Sequence, residues 1–208
     1  MRLSTAFSLP KDRARVRAFV AVELPDAVRQ GLSDEIRRLE KKVGQGPVRF
    51  VKPEGIHLTL KFLGEVPAGK VDAVGRAVAG AAEQIGPFEA TAGGFGMFPD
   101  PKRPRVLWVG VGDPSGGLSR LQAAVERALV PLGFETEDRP FHPHLTLGRA
   151  NRGGSRSDER ALGDHLAGCE IAELGSWRVT ECALMKSDLR PAGAVYTRVE
   201  AFALAGSG

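Results

Sequence analysis

Hydrophobic and polar residues alternate along this chain with two distinct periods. The segment 17–24 is an apolar, β-branched run that Pro25 ends, which predicts a buried strand. Beyond the proline, apolar residues return every three or four positions over 28–43, the spacing of one helix face. Gly44 and the Gly46-Pro47 pair then predict the end of that helix.

The same two periods recur along the rest of the chain. Short apolar segments alternate with helical stretches, and glycine or proline residues separate many of them. A loop is predicted over 98–104, where three prolines fall within seven residues. The pattern predicts further strands over 48–52, 56–62, 88–97, 106–111, 140–149, 177–185 and 195–204, and helices over 71–85, 118–132 and 158–166.

The order of these elements predicts an α+β or mixed α/β fold. The strands are short and hairpins connect some of them, unlike the strands of a doubly wound nucleotide-binding sheet. No linker is long enough to separate independent domains, so we expect one body with two lobes over residues 17–208. Residues 1–16 are basic and contain Pro10, and we expect a flexible arm there, with contact to nucleic acid as the alternative.

Length and composition exclude several classes of protein. The chain has 208 residues, of which 42% are hydrophobic and 26% charged, which is typical of a globular domain. Cys169 and Cys182 lack C-x-x-C spacing, which predicts reduced thiols rather than a disulfide framework or a zinc site. No apolar run fits a membrane span or a secretory signal, so we expect a cytoplasmic location. We also expect a monomer. The net charge of +4 slightly favours RNA or phosphate esters as partners.

The tetrapeptide His-Leu-Thr-Leu occurs twice, at residues 57–60 and 144–147. Alternate side chains of a strand share a face, so His57 and Thr59 point one way and the leucines point into apolar packing. The same holds for His144 and Thr146. Two such strands side by side would place two imidazoles and two hydroxyls around one cavity. The alternative is a pair of unrelated amphipathic strands with structural histidines.

Two histidines without a serine or cysteine nucleophile motif indicate acid–base chemistry. A neutral imidazole can take a proton from an attacking hydroxyl or water, and an imidazolium can give a proton to a leaving oxygen. Threonine hydroxyls can donate to oxygens that gain negative charge, and so can Arg149, five residues after His144. This set of groups suits phosphodiester cleavage without a metal ion.

The paired motif and its flanks resemble the 2H phosphoesterase superfamily. Within it, the chain looks like the bacterial RNA 2′,3′-cyclic phosphodiesterases, also called 2′–5′ RNA ligases. Segments 17–25, 48–64, 141–149 and 184–196 carry the resemblance, which covers roughly residues 17–204. Two features depart from the family pattern: Phe50 stands where tryptophan is common, and the arm before residue 17 is extra.

The resemblance implies an α+β fold with two pseudo-symmetric lobes, each with an antiparallel-rich sheet and packed helices, around a central cleft. The reaction would open a 2′,3′-cyclic phosphate at an RNA end and leave a 2′-phosphate, with weak reverse 2′–5′ ligation. His57 would protonate the leaving 3′-oxygen and His144 would activate water. Thr59, Thr146 and Arg149 would hold the non-bridging oxygens. No metal or nucleotide cofactor is expected, and RNA with a cyclic phosphate end is the expected partner.

The residues leave several assignments open. Phe19, Phe50 and Tyr196 are candidates for stacking on RNA bases, although Phe19 and Phe50 fit the core equally well. Trp108 and Trp177 fall in strand patterns and are expected in the core.

Three other functions are alternatives. Residues 64–70 fit the phosphate-binding pattern G-x-x-x-x-G-K, but Val71 stands where serine or threonine should follow, which favours a plain turn. His57, His142 and His144 could bind a metal ion in a metal-dependent phosphodiesterase. A non-catalytic RNA-binding or nucleotide-binding module on the same fold is the third alternative.

Overall fold

A computed structural model describes residues 14–151, 155–191 and 193–206. Most of the arm predicted over residues 1–16 lies outside the described residues, and the first strand begins inside its last positions, at Arg15. The described residues form nine strands and four α-helices. In chain order they are β1 (Arg15–Val22), α1 (Asp26–Val43), β2 (Val48–Phe50), β3 (Leu58–Pro67), α2 (Val71–Ala82), β4 (Phe88–Phe98), β5 (Val106–Gly112), α3 (Gly117–Leu129), β6 (His144–Ala150), α4 (Arg156–Leu166), β7 (Gly175–Val179), β8 (Glu181–Arg190) and β9 (Gly193–Ala203).

The strands form two sheets in which every pair is antiparallel. The first sheet has the order β3-β1-β8-β9 and the second has the order β2-β6-β5-β4-β7. Each sheet takes two strands from the other half of the chain, one inner and one at the edge: β8 and β9 join the first sheet, and β4 and β2 join the second. The predicted α+β fold with two pseudo-symmetric lobes is confirmed, and the lobes exchange strands.

One predicted strand differs from the structure, and one alternative is excluded by it. The single strand predicted over 177–185 is wrong: the chain breaks at Thr180, so that β7 joins the second sheet and β8 the first. The break contains neither glycine nor proline, so no local turn signal marks it in the sequence. Residues 64–67 belong to β3 and pair with residues 15–18 of β1, so they form no phosphate-binding loop.

One hydrophobic core joins both sheets and the helices. The helical face predicted for α1 is buried, with Val28, Leu32, Ile36 and Leu39 directed inward. The leucines of both His-Leu-Thr-Leu segments enter the same core: Leu58, Leu60, Leu145 and Leu147 are all buried. The histidines and threonines therefore lie on the opposite face of each sheet, which we call the cleft face.

A second, smaller apolar cluster covers the cleft face of the first sheet. It contains Phe19, Ala21, Ala183 and Met185, with Tyr196 packed against it. These residues alternate along β1 and β8 with residues of the main core, so both faces of the inner strands are buried. This cluster forms the support for the first histidine.

Candidate active site

The first motif strand contains a β-bulge immediately after its threonine. In the pairing of β1 with β3, Ala21 lies opposite Thr59 and Val20 lies opposite Lys61. Leu60 is therefore left without a partner residue. An extra residue of this kind inverts the alternation of side chains beyond it.

The second motif strand contains the same irregularity at the same place. In the pairing of β5 with β6, Trp108 lies opposite Thr146 and Leu107 lies opposite Gly148, which leaves Leu147 unpaired. The two bulges are therefore equivalent by the pseudo-symmetry of the lobes.

The bulges decide which later residues share the cleft face. Strict alternation would place Phe62 and Arg149 with the leucines in the core. After the bulges, Phe62 lies on the side of Thr59 and Arg149 on the side of Thr146. Both are exposed, Phe62 to 66%. The two halves thus present different chemistry at equivalent positions, an aromatic ring in one and a guanidinium in the other.

Each motif imidazole is oriented by the carbonyl group two residues before it. His57 Nδ1 donates to the carbonyl oxygen of Gly55 at 2.9 Å, and His144 Nδ1 donates to that of His142 at 2.7 Å. A carbonyl oxygen only accepts, so Nδ1 carries the proton of each neutral ring. Nε2 is then the nitrogen that can accept a proton in both halves.

Burial lowers the pKa of both imidazoles. The pKa of His57 falls from 6.5 to about 4 because burial penalises the imidazolium; the bond to Gly55 opposes this and the charge of Arg29 adds to it. The pKa of His144 is also lowered, first by burial and further by the charges of His142 and Arg149. Burial therefore favours the neutral form of both rings in the free protein.

Aromatic side chains surround His57. The ring of Phe19 stacks on the imidazole with centroids 4.4 Å apart, and Tyr196 meets it edge-on at 4.8 Å. Phe19 is only 1% exposed and its ring lies against the imidazole, which favours the core role over the alternative of base stacking. Phe62, whose centroid lies 5.9 Å from that of Phe19, is the exposed ring on this side.

A second aromatic group borders His144. The ring centroid of Phe98 lies 5.1 Å from that of His144, and the ring centroid of Trp108 lies 4.8 Å from that of the exposed His142. Trp108 is half-buried on the cleft face, so its predicted core position is wrong. A Cβ atom at Gly96 would lie 2.1 Å from its indole ring, which shows that the tryptophan lies directly over that glycine.

Of the remaining aromatic residues, two pack against the core and one lies beside His57. Phe50 is half-buried and packs against the main core, and a Cβ at Gly148 would contact its ring at 3.2 Å; its role in base stacking stays a prediction. Trp177 packs against the core as expected. Tyr196 is half-buried beside His57 and keeps part of its ring exposed on the cleft face.

Thr59 and Thr146 occupy equivalent positions on the cleft face and are half-buried. Within the described part of the chain, neither hydroxyl makes a side-chain hydrogen bond. Both are therefore free to donate to an oxygen of a bound anion.

The motif strands are brought together by contacts between the two halves. Cα atoms of β3 and β6 approach within 8 Å. The Val51 amide, just before the first motif, donates to the Leu147 carbonyl at 2.9 Å. Lys61 Nζ donates to the Glu135 carbonyl at 2.6 Å, on the segment that leads to the second motif. β6 thus bonds to the segment that precedes β3, and β3 bonds to the segment that precedes β6.

The metal-site alternative is not supported by the arrangement of side chains. Across residues 14–151, 155–191 and 193–206, no three His, Cys, Asp or Glu side chains are grouped so as to bind a metal ion. His57, His142 and His144 thus do not form the three-imidazole set considered above. Both cysteines are free thiols. Of the helices described, none is both long and apolar enough to span a bilayer.

An α+β fold of two pseudo-symmetric halves, each with one His-x-Thr motif on neighbouring strands β3 and β6, defines the class of 2H phosphoesterases. The family model described as LigT-like phosphoesterase matches the chain twice, over residues 22–108 and 109–196. The chain belongs to the LigT-like phosphoesterase family. The boundary between the two matches falls inside β5, the strand equivalent to β1.

Known proteins of this family cover nearly the whole chain. An RNA 2′,3′-cyclic phosphodiesterase of Methanothermobacter thermautotrophicus is 39% identical over 192 residues, which is 91% of this chain and 100% of the relative. One of Archaeoglobus fulgidus is 35% identical over 187 residues, or 90% of this chain and 99% of the relative. A crystal structure from Thermus thermophilus has a TM-score of 0.75 at 30% identity, over 92% of this chain and 100% of its own. Escherichia coli LigT complexed with 3′-AMP has a TM-score of 0.73 at 28% identity, over 92% and 99%.

Proposed function

We propose that this protein hydrolyses the 2′,3′-cyclic phosphate at an RNA end to a 2′-phosphate by acid–base catalysis with two histidines and no metal ion. The observation that carries the proposal is the matched pair of imidazoles. His57 and His144 hold the same tautomer by the same backbone bond in equivalent positions of the two halves. Relatives that are named RNA 2′,3′-cyclic phosphodiesterases support the choice of substrate.

The two rings take opposite roles in this reaction. Neutral His144 accepts a proton from water at Nε2 while the water oxygen attacks phosphorus. Protonated His57 gives its proton to the 3′-oxygen as the bond from phosphorus to that oxygen breaks. The bond to the 2′-oxygen stays, and the product carries a 2′-phosphate. If an RNA 5′-hydroxyl replaces water as the nucleophile, its oxygen attacks phosphorus and loses its proton, the 3′-oxygen leaves with a proton, and a 2′–5′ linkage forms.

Phe62 supports this assignment of acid and base. Its exposed ring offers a stacking surface for the terminal base on the side of His57. A ribose attached to that base brings its 3′-oxygen towards His57 rather than His144. Burial makes the His57 imidazolium scarce in the free protein, and a bound phosphate anion would stabilise it.

Each motif strand offers hydrogen-bond donors to the non-bridging phosphate oxygens, which gain negative charge in the reaction. Thr59 and Thr146 would each donate to one non-bridging oxygen of the phosphate, and Arg149 would add a positive charge. All three lie on the cleft face, and no carboxylate of the described residues lies within 4.0 Å of Arg149. Such donors stabilise the negative charge on the non-bridging oxygens in the transition state.

A single assay tests the proposal. The protein is incubated with a short RNA that ends in a 2′,3′-cyclic phosphate, with EDTA present, and the product is identified. Variants His57→Ala and His144→Ala are compared with His165→Ala, which changes an exposed histidine of α4. We expect a 2′-phosphate that forms in EDTA, disappears in the first two variants and persists in the third.

Other results would overturn separate parts of the proposal. Loss of turnover in EDTA would show that a metal ion is required. A 3′-phosphate product would show that the 2′-oxygen, rather than the 3′-oxygen, is the leaving group. Binding of the RNA without turnover would indicate the non-catalytic module.

A further inference from the structure

Two arginines face each other across strands β2 and β6. Arg49 lies directly opposite Arg149 in their antiparallel register, and both side chains are exposed. Their neighbours Val48 and Phe50 pack into the main core, so Arg49 points to the cleft face as Arg149 does. Directly opposed side chains of a sheet are only about 4.5–5.5 Å apart at Cβ, and like charges there destabilise the pair.

The charge of this pair is not neutralised by the protein. In the described ranges, no carboxylate oxygen lies within 4.0 Å of either guanidinium, and neither one donates a side-chain hydrogen bond. The opposite edge of the same sheet provides a contrast. There Arg178 lies opposite Glu89, and the two side chains form an ion pair at 3.8 Å.

The position of the pair relates it to the reacting phosphate. Arg149 lies two paired positions along β6 from Thr146, because the bulge at Leu147 takes up the third residue. Two strand residues span roughly 6.6 Å. This distance is comparable to the separation of neighbouring phosphates along an RNA strand. The long, flexible arginine side chains can make up any difference between the two distances.

We infer that Arg49, together with Arg149 shared with the reacting phosphate, binds the phosphodiester on the 5′ side of the terminal nucleotide, next to the cyclic phosphate. The inference rests on the proposed function and extends it from the reacting group to the polymer. A guanidinium pair suits an anionic phosphodiester because its forked N–H groups match two phosphate oxygens. A free cyclic mononucleotide lacks this phosphodiester, so the pair makes the protein select RNA ends over cyclic mononucleotides.

The first test compares two substrates in each variant. They are a dinucleotide ending in a 2′,3′-cyclic phosphate and the matching 2′,3′-cyclic mononucleotide, and the readout is the ratio of their kcat/KM values. Arg49→Gln is expected to lower this ratio about tenfold, as for the loss of one charge-assisted contact, and Arg49→Lys to lower it less. Arg178→Gln makes the same change of charge on the far edge strand and should leave the ratio unchanged. An unchanged ratio in Arg49→Gln would overturn the inference.

The second test needs no turnover. Binding of single-stranded RNA with a 2′-phosphate end is followed by fluorescence anisotropy between about 50 and 200 mM salt. Loss of one phosphate contact should reduce the slope of log K against log salt by about 0.7 in Arg49→Gln and not in Arg178→Gln. An unchanged slope rejects the arginine pair even if the protein is active. If the slope is reduced in Arg49→Gln but the wild-type protein shows no turnover, the arginine pair still binds phosphate and the proposed hydrolysis is rejected.

Discussion

The ammonium group of Lys61 lies 2.6 Å from the carboxylate of Glu126, and both side chains are buried. Lys61 belongs to the first motif strand, whereas Glu126 belongs to α3 in the second half. Gln122 donates to the second carboxylate oxygen at 3.1 Å, and Lys61 also donates to the Glu135 carbonyl. The buried charges are therefore paired and hydrogen-bonded, and they fasten the first motif strand to the other half.

Removing one member of this pair should destabilise the protein strongly. We expect Lys61→Met to lower the free energy of unfolding by about 3 kcal/mol, because Glu126 is left buried without a partner. The double variant Lys61→Met, Glu126→Met should recover most of that loss. Urea unfolding measures both. Lys186→Met removes an exposed pair with Asp188 and should cost less than about 1 kcal/mol. Additive losses in the double variant would show that the two charges act separately.

The buried His57 should make the protein sensitive to acid. Its pKa is about 4 in the folded state and 6.5 in the unfolded state, so between these values the unfolded chain binds a proton that the folded chain does not. Stability should therefore fall as pH decreases from 6.5 towards 4, by roughly 3 kcal/mol. His57→Gln should remove this part of the pH dependence, and His165→Gln should not. Parallel stability curves for wild type and His57→Gln would contradict the shift.

The activity should be displaced to acid pH. The proposed reaction needs one imidazolium, and burial lowers the pKa of both rings below 6.5. Above that pH we expect kcat/KM to fall about tenfold per unit, with two apparent pKa values that belong to the pair. The alkaline limb of kcat should occur at higher pH than that of kcat/KM, because bound phosphate stabilises the imidazolium. A plateau of kcat/KM from about pH 6.5 to 8 would contradict this.

The exposed ring of Phe62 should contribute to substrate affinity. Stacking on one base is worth about 1–3 kcal/mol, so Phe62→Ala should reduce kcat/KM roughly 5- to 150-fold. Phe62→Tyr keeps the ring and should keep most of the activity. Val130→Ala removes another exposed apolar side chain and should have little effect. Equal losses in Phe62→Ala and Phe62→Tyr would show that stacking is not the cause, and no loss would place the base elsewhere.

The paired motif could be predicted from the sequence because its chemistry is local. Leucines that alternate with a histidine and a threonine define a buried and a functional face without knowledge of the partner strand. The same is true of α1, whose apolar spacing corresponds to its buried residues. The backbone bonds that orient His57 and His144 also involve residues close by in the chain.

The other site residues depend on strand pairing, which the chain does not reveal locally. Phe62 and Arg149 reach the cleft face only because Leu60 and Leu147 bulge, and a bulge is defined by the opposite strand. Phe19 has the sequence pattern of a stacking residue or a core residue, and its burial against His57 is visible only in the fold. Arg49 acquires a role only from its position opposite Arg149.

The exchange of strands between the halves has a consequence for biosynthesis. The first sheet needs β8, which leaves the ribosome more than a hundred residues after β1, and the second sheet needs β4 from the first half. A nascent chain that stops after α2 therefore cannot complete either sheet. For the same reason, a polypeptide cut between β4 and β5 would yield two fragments that each lack a strand the other carries. Such fragments are suited to reassemble when they are mixed, and neither is suited to fold alone.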